Sequence, residues 1–482
     1  MKTVRLYDSL SRSIRVFTPL GSAPVGIYSC GPTVYARQHL GNLRPYVFAD
    51  LLRRTLEAAG YAVKHVINIT DVGHLTSDAD DGADKVELAA ARARTSAFDI
   101  TEHYTTLFQA DLERMGTLAP EHWAKASAHV PEQIALIEQL ASRGFSYLSG
   151  DGVYFDTARA PHYGELSGLR ASASHSRVRI DNGKRNAADF ALWKFSPETG
   201  PRRQLEWPSP WGVGFPGWHI ECSAMASKYL GRQFEIHTGG VDHVAVHHSN
   251  EIVQAEHAFG VRPWVQYWMH GAWLTLDGAK IAKSAGNAPD LDDLIAAGVS
   301  AAAYRYYLMT AHYRAPLDLS LEGLHAASTA FARLSSFVAR HYDANAAPPD
   351  AACAAACAEW QALFHSALYA DLDAPRALSV LWSIYADSSL SLMLRAELIA
   401  RLGDVLGLRL TGTAAQPAEL TPEAAGLVQA RERARAAGDF TRADALRREL
   451  LAHGLVVEDG PGGPVTRPAP HTHSSPHTGQ RP

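Results

Sequence analysis

Four cysteines in 482 residues, Cys30, Cys222, Cys353 and Cys357, are too few and too scattered to build a disulfide framework in a chain of this size. No apolar run reaches the ~18 residues that a membrane span needs, and the N-terminus scatters charges where a signal sequence would carry an apolar core. These absences fit a cytoplasmic protein. A net charge of -5, from 45 Lys+Arg against 50 Asp+Glu, excludes coating of nucleic acid by bulk attraction and leaves only a local basic face open. A Walker A signature is missing as well, because Gly183-Lys184 is followed by Arg185. The stretch Gly212 to Gly217 matches a dinucleotide fingerprint in letters only. Pro208 and Pro210 occupy the place of the strand that should lead into it, and Pro216 does not suit the tight turn. The acidic stretch Asp78 to Asp84 lacks the terminal Glu of a calcium loop and reads as a surface loop.

What is present is an ordinary globular composition, 46% hydrophobic and 20% charged, long enough for about two to four domains. Pro24 to Cys30 reads as a short buried strand that Gly31-Pro32 breaks. From Asn42 a helical pattern runs through Val47, Leu51, Leu52 and Leu56 to Gly60, and Ala62 to Ile69 is a second apolar strand. Strand, helix and strand in this order make a βαβ unit, which predicts a doubly wound α/β sheet with its site at the carboxyl ends of the strands. His39-Leu40-Gly41-Asn42 opens the helix, where unpaired N–H groups suit phosphate and Gly41 lets a flat ring approach. A capping turn with a surface histidine accounts for the same four residues.

Gly217 to Glu251 carries the pattern of a metal site. His247 and Glu251 stand at i and i+4, so a helix presents both to one ion, and Cys222 arrives from a separate element. Phe234 to Gly240 reads as another strand ending in a glycine loop, so the half-sheet is repeated. If Cys30 ends one central strand and these residues flank another, Cys30 is the fourth ligand. Two thiolates, an imidazole and a carboxylate suit Zn²⁺ by softness and geometry. A buried cysteine and a helix-surface histidine are the structural alternative.

Between Leu118 and Pro216 the pattern changes to a helix, Pro131 to Arg143, and a hairpin from Tyr147 to Asp156 turning at Gly150 to Gly152. This reads as an insertion between the halves of the sheet. Its aromatic stretches around Trp193, Trp207 and Trp211 either line a ligand entrance or pack the insert onto the core. Trp268 to Leu276 predicts a further strand, and Asp277-Gly278 turns it into a loop bearing Lys280, Lys283 and Ser284. Two lysines and a serine there suit an anionic leaving group, and an exposed basic loop is the plain alternative.

Taken together the pieces resemble class I aminoacyl-tRNA synthetases, with His39-Leu40-Gly41-Asn42 in place of the HIGH signature and Lys280 to Ser284 in place of KMSKS. Cys30 to Tyr35, Trp218 to Met225 and His247 to Glu251 are similar to cysteinyl-tRNA synthetases in particular, and the likeness runs in order from about Val16 to Gly460. The resemblance implies a Rossmann-like class I catalytic domain with an inserted domain, followed by an α-helical bundle and a small C-terminal domain. It implies one zinc per chain on Cys30, Cys222, His247 and Glu251, binding the substrate thiol, with Thr33, Thr70, Trp218 and His237 around the amino acid. It also implies ATP with Mg²⁺ at His39, Gly41, Asn42, Lys283 and Ser284, and charge stabilisation by His39, Asn42, Lys280 and Lys283. L-cysteine and tRNA(Cys) are the implied partners of a monomer. Ile281, Ala282 and Ala285 depart from the usual lysine loop, and Asn42 replaces the last His of HIGH.

The implied division is a catalytic domain in two halves, 1–117 and 216–300, around an insert at 118–215. A junction and helical bundle at 301–412, an anticodon-binding domain at 413–467 and a disordered tail at 468–482 complete it. Cys353 and Cys357 read as small core residues of an Ala-rich helix. Arg431 and Arg435, at i and i+4, read as a solvated face or, by resemblance, as contacts to the anticodon region. Val465-Thr466-Arg467 stands where the family often has a Trp. Two rivals share parts of the pattern: the cysteine ligase of mycothiol synthesis, and a non-catalytic paralogue that binds zinc or tRNA.

Overall fold

The structure is a computed structural model, and it describes all residues except 77–81, 169–182, 198–201, 277, 282–287, 344–350, 412–421, 454, 461–462 and 469–482. Its centre is a five-stranded sheet, built from β1 (Val25–Ser29), helix α1 (Leu40–Ala58), β2 (Val63–Ile69), β3 (His122–Lys125), helix α2 (Trp218–Leu230), β4 (Phe234–Gly240), helix α3 (His247–Phe259) and β5 (Val265–Gly271). The order across the sheet is β5-β4-β1-β2-β3, and every neighbouring pair is parallel. β1 is buried at all five positions and β4 at six of seven, as a sheet covered on both faces demands. On one face α1 packs with the C-terminal helices around Leu51, Leu52, Tyr304 and Leu334. On the other, Met225 and Ile252 of α2 and α3 close over Tyr28, Phe234 and Trp268. Chain order reverses between β1 and β4, so the crevice at their carboxyl ends is the expected ligand position.

β3 lies within the stretch expected to be insert, yet it pairs with β2 from Val66↔His122 to Ile69↔Lys125. Beyond it, the helix Val130–Ser142 and four antiparallel strands, Ser146–Ser149, Gly152–Phe155, Phe190–Phe195 and Gly214–Pro216, make a separate layer. Phe155, Leu192 and Trp193 of that layer pack on Ile220 of α2 and Val253 of α3. Trp193 is therefore core packing and no part of an entrance. The misleading glycines of 212–217 serve the same layer: a Cβ on Gly214 would lie 2.0 Å from the Lys194 carbonyl oxygen.

The single strand expected from Trp268 to Leu276 is broken. β5 stops at Gly271, and Leu274–Leu276 joins a different small sheet beside Leu317–Leu319. At the break the Arg44 guanidinium donates to the carbonyls of Ala272 at 2.9 Å and Trp273 at 2.6 Å, and the Trp273 carbonyl also accepts from the Leu317 N–H at 3.2 Å. Helices Leu321–His341, Ala351–Leu368, Ala374–Ala386 and Leu392–Val405 form the bundle. A helix pair, Pro422–Ala436 and Phe440–Ala452, then carries an antiparallel hairpin, Leu455–Gly460 with Gly463–Pro468. Arg431 is 2% exposed, which rules out the solvated-face reading for it, whereas Arg435 is exposed. Cys357 is buried, as expected; the side chain of Cys353 and the tail from 469 lie outside the described residues. Among the described residues no helix is long and apolar enough to cross a membrane.

Candidate active site

Cys30 follows the last residue of β1, and its N–H donates to the Thr238 carbonyl of β4 at 3.1 Å. That bond holds the thiol at the switch point. Gly31 comes next because nothing larger fits: a Cβ there would sit 1.5 Å from the Asn68 carbonyl oxygen, while the Gly31 N–H donates to Asn68 Oδ1 at 2.7 Å. Gly31→Ala should therefore pry β1 from β2 and displace Cys30. Metal analysis of purified protein is expected to show zinc falling well below one per chain, and full zinc content would contradict this account.

The structure brings the four expected ligands together. The ligand atoms of Cys30, Cys222, His247 and Glu251 all lie within 4.8 Å of one another, and all four residues are buried. The two sulfurs are 4.0 Å apart, and Glu251 Oε1 is 3.7 Å from Cys30 Sγ and 2.9 Å from His247 Nε2. Burial pushes the Glu251 pKa up, but the imidazoles of His237 and His247 outweigh it and hold the carboxyl well below its usual range. Burial pulls His247 down, yet Glu251 and Cys222 raise it to about 10. Burial and the neighbouring Cys222 push the Cys30 thiol up, whereas hydrogen bonds from Cys30 and His247 draw Cys222 down against burial. A buried cluster of anion-forming groups kept in place by protons is one where a dication can displace those protons. The donor set fits zinc.

A second set overlaps the first. Cys30, His237, His248 and Glu251 also gather within 4.8 Å, with His248 Nε2 at 3.2 Å from Cys30 Sγ. The sequence reading missed His248, although it stands at i+3 to Glu251 and so shares that helix face. His248 Nδ1 is 2.8 Å from His270 Nε2, and His270 Nδ1 is 2.7 Å from Ser9 Oγ. His219, also missed, lies with Nδ1 2.9 Å from His247 Nδ1, which directs His247 Nε2 at the cluster. Residue spacing alone held no signal for His219 or His270; only the 23 histidines of the chain hinted at such a shell.

A cavity of about 730 Å³ opens beside the first set and is lined by Cys30, Thr33, His39, Gly41, Asn42, Trp218 and His247 among others. Trp218 lies stacked on His247 at 4.2 Å. Thr70 and His237 lie one layer back from this wall. Thr70 Oγ1 donates to Glu221 Oε2 at 3.2 Å, and His237 Nε2 is 2.8 Å from Glu251 Oε2. His39 caps α1, its Nδ1 accepting from the Asn42 N–H at 3.2 Å, and it is buried rather than on the surface. Asn42 Nδ2 donates to Gln38 Oε1 at 2.8 Å. A Cβ on Gly41 would be 3.7 Å from Ile281, so the lysine loop begins against the helix that bears His39. The Lys280 backbone pairs with Thr275, whereas its side chain, Lys283 and Ser284 lie outside the described residues.

A parallel sheet reversing at β1 and β4, with a capped helix facing the crevice, is the catalytic architecture of class I tRNA synthetases. The family model described as "tRNA synthetases class I (C) catalytic domain" matches residues 16–329. In fold the chain is similar to Mycobacterium tuberculosis methionyl-tRNA synthetase in complex with methionyl-adenylate, with a TM-score of 0.54 at 17% identity over 86% of this chain and 96% of that one. Within that class the chain belongs to the cysteine–tRNA ligase family. It is 47% identical to cysteine–tRNA ligase 1 of Burkholderia lata over 95% of both chains. It is 40% identical to the Thermus thermophilus ligase over 96% of this chain and 98% of that one. Residues 418–464 match the "Cysteinyl-tRNA ligase anticodon binding domain".

Proposed function

We propose that this cysteine–tRNA ligase selects its amino acid at one zinc ion per chain, held by Cys30, Cys222, His247 and Glu251. The carrying observation is the convergence of those four ligand atoms within 4.8 Å. The first set is favoured over the second because Cys30 and His247 both line the cavity, whereas of the second set only Cys30 does. A zinc ion held there would supply a Lewis acid that favours a thiol as ligand over the far more basic serine hydroxyl. An apolar pocket alone separates such near-isosteres by only ~1–3 kcal/mol.

The chain's own residues do the rest. His237 keeps Glu251 ionised and oriented, and Trp218 forms the wall over which the cysteine backbone lies. The cysteine carboxylate attacks the α-phosphorus of ATP, which enters with Mg²⁺, and pyrophosphate leaves. His39, Asn42, Lys280 and Lys283 stabilise charge developing on the phosphoryl and pyrophosphate oxygens, with Gly41 and Ser284 beside the nucleotide; none of them is a nucleophile. The adenylate then passes the cysteinyl group to a terminal ribose hydroxyl of tRNA(Cys). The match at 418–464 to an anticodon-binding domain supports tRNA over an amino sugar as acceptor.

Charging of tRNA with labelled cysteine tests this reading, with cysteine-dependent pyrophosphate exchange as its first half-reaction. Both are expected with purified protein holding near one zinc. Turnover with glucosaminyl-inositol and none with tRNA would select the sugar ligase. Absence of exchange would remove both enzyme readings.

A further inference from the structure

Gly73 turns the chain after β2, and its φ of +76° and a Cβ position 2.5 Å from the Pro216 carbonyl oxygen leave room for nothing larger. From there His74 to Thr76 run antiparallel to Ala83 to Lys85, with Leu75 bridging Asp84, the Lys85 N–H donating to the His74 carbonyl and the Thr76 N–H to that of Ala83. This clamp sets His74 and Lys85 in the wall of the cavity. The His74 ring is stacked on Trp218 at 4.1 Å and 12°, on the way to His247.

Two hydrogen bonds decide what His74 does. Lys85 Nζ lies 2.7 Å from His74 Nε2, and Thr33 Oγ1 lies 2.5 Å from His74 Nδ1. An ammonium only donates, so Nε2 accepts, and in the neutral ring the proton must sit on Nδ1. Burial, then Lys85, His247 and His243, hold the His74 pKa well below its ordinary value, in keeping with that neutral form. His74 Nδ1–H therefore donates to Thr33, and the Thr33 hydroxyl proton is left to point elsewhere. Among the described residues no other partner of Thr33 Oγ1 is present, and Thr33 faces the cavity.

We infer that Lys85 and His74 are positioning residues that fix the Thr33 hydroxyl as a donor to the carboxylate of the bound cysteine. This rests on the reading of Thr33 as an amino-acid contact. Of the substrate's polar groups, the ammonium has only donors and the thiol is held at the four-ligand cluster. The carboxylate alone needs an aimed O–H. Without Lys85 the ring is free to carry its proton on Nε2, and the Thr33 hydroxyl then spends its own proton on Nδ1 rather than on the substrate.

The test is cysteine-dependent ATP–pyrophosphate exchange with the full-length zinc-loaded protein. Thr33→Val is expected to raise KM for cysteine about 10-fold or more, the scale of a hydrogen bond to a charged group, with KM for ATP and zinc content unchanged. His74→Phe keeps a ring against Trp218 and cannot donate, so it should match Thr33→Val. His74→Asn places an amide N–H near the Nδ1 position and should restore most of the loss, and Lys85→Met should fall between. The Thr33→Val/His74→Phe double variant should be no worse than either single one. A raised KM in Thr33→Val with wild-type values in His74→Phe and Lys85→Met would overturn the inference and leave Thr33 as a contact. An unchanged KM in Thr33→Val would remove that contact and the inference with it. Equal rises in KM for ATP and cysteine, or no recovery in His74→Asn, would also overturn it. If His74→Phe fails to fold, Lys85→Met carries the same decision.

Discussion

Serine at position 222 is expected to empty the metal site, taking zinc from near one ion per chain to near none, and to cut kcat/KM for cysteine activation by more than about 100-fold. Changing a mere outer partner of a metal ligand costs about 10–100-fold, and Cys222 is proposed as a ligand itself, 4.0 Å from Cys30 Sγ and 1% exposed. With it gone, Glu251 and His247 keep their 2.9 Å contact and neutralise each other, so the remaining thiol of Cys30 has no comparable second thiolate. Discrimination against serine should fall towards what pocket shape supplies, ~1–3 kcal/mol. Metal analysis with exchange assays on cysteine and serine reads both effects. His248→Ala separates the two overlapping ligand sets: zinc retained in it and lost in Cys222→Ser assigns the ion to Cys30, Cys222, His247 and Glu251. Full zinc and unchanged selectivity in Cys222→Ser would remove that assignment.

The parts of this site that could be read in the sequence are those governed by local periodicity. His247 and Glu251 lie one helical turn apart, β1 is mostly apolar and β2 places Val66, Ile67 and Ile69 in its buried part, and both patterns survive folding because burial of a parallel sheet and a helix face imposes them. Cys30 could be added because a βαβ unit fixes which end of a strand faces the crevice. What could not be read depends on contacts between distant segments. β3 looked like insert because four residues beside a helix carry no period that distinguishes them from a linker. The chain just after the break at Gly271 is bound by Arg44, more than 200 residues earlier in the chain. The relay through Lys85 and His74 depends on a turn that only Gly73 permits. Arg431 looked solvated by helical spacing, and tertiary packing buries it instead.

Asp50→Asn is expected to destabilise the protein by about 3–5 kcal/mol, the cost of leaving a buried charge without its partner. Asp50 is 1% exposed on α1 and binds the guanidinium of Arg305, whose side chain is fully buried. The same carboxylate accepts from Arg54 Nε at 2.8 Å and from the Leu118 N–H at 2.8 Å. Arg305 in turn donates to the carbonyls of Leu406 at 2.7 Å and Met115 at 3.3 Å. One carboxylate thus ties α1 and the chain entering β3 to the end of the helical bundle, and the isosteric amide keeps the shape while removing the charge. Burial raises the Asp50 pKa, but Arg305, Arg54 and the Leu118 N–H outweigh it and hold it below the ordinary carboxylate value. A depressed folded-state pKa gives stability that is fully present above the unfolded value of about 3.9 and is lost as pH falls through the folded one. Thermal unfolding should therefore separate wild type from Asp50→Asn widely at pH 7 and bring their midpoints together as pH drops below about 4. Equal midpoints at pH 7 would show that the Arg305 charge is compensated elsewhere, and a gap that persists in acid would show that shape, rather than charge, is what Asp50 supplies.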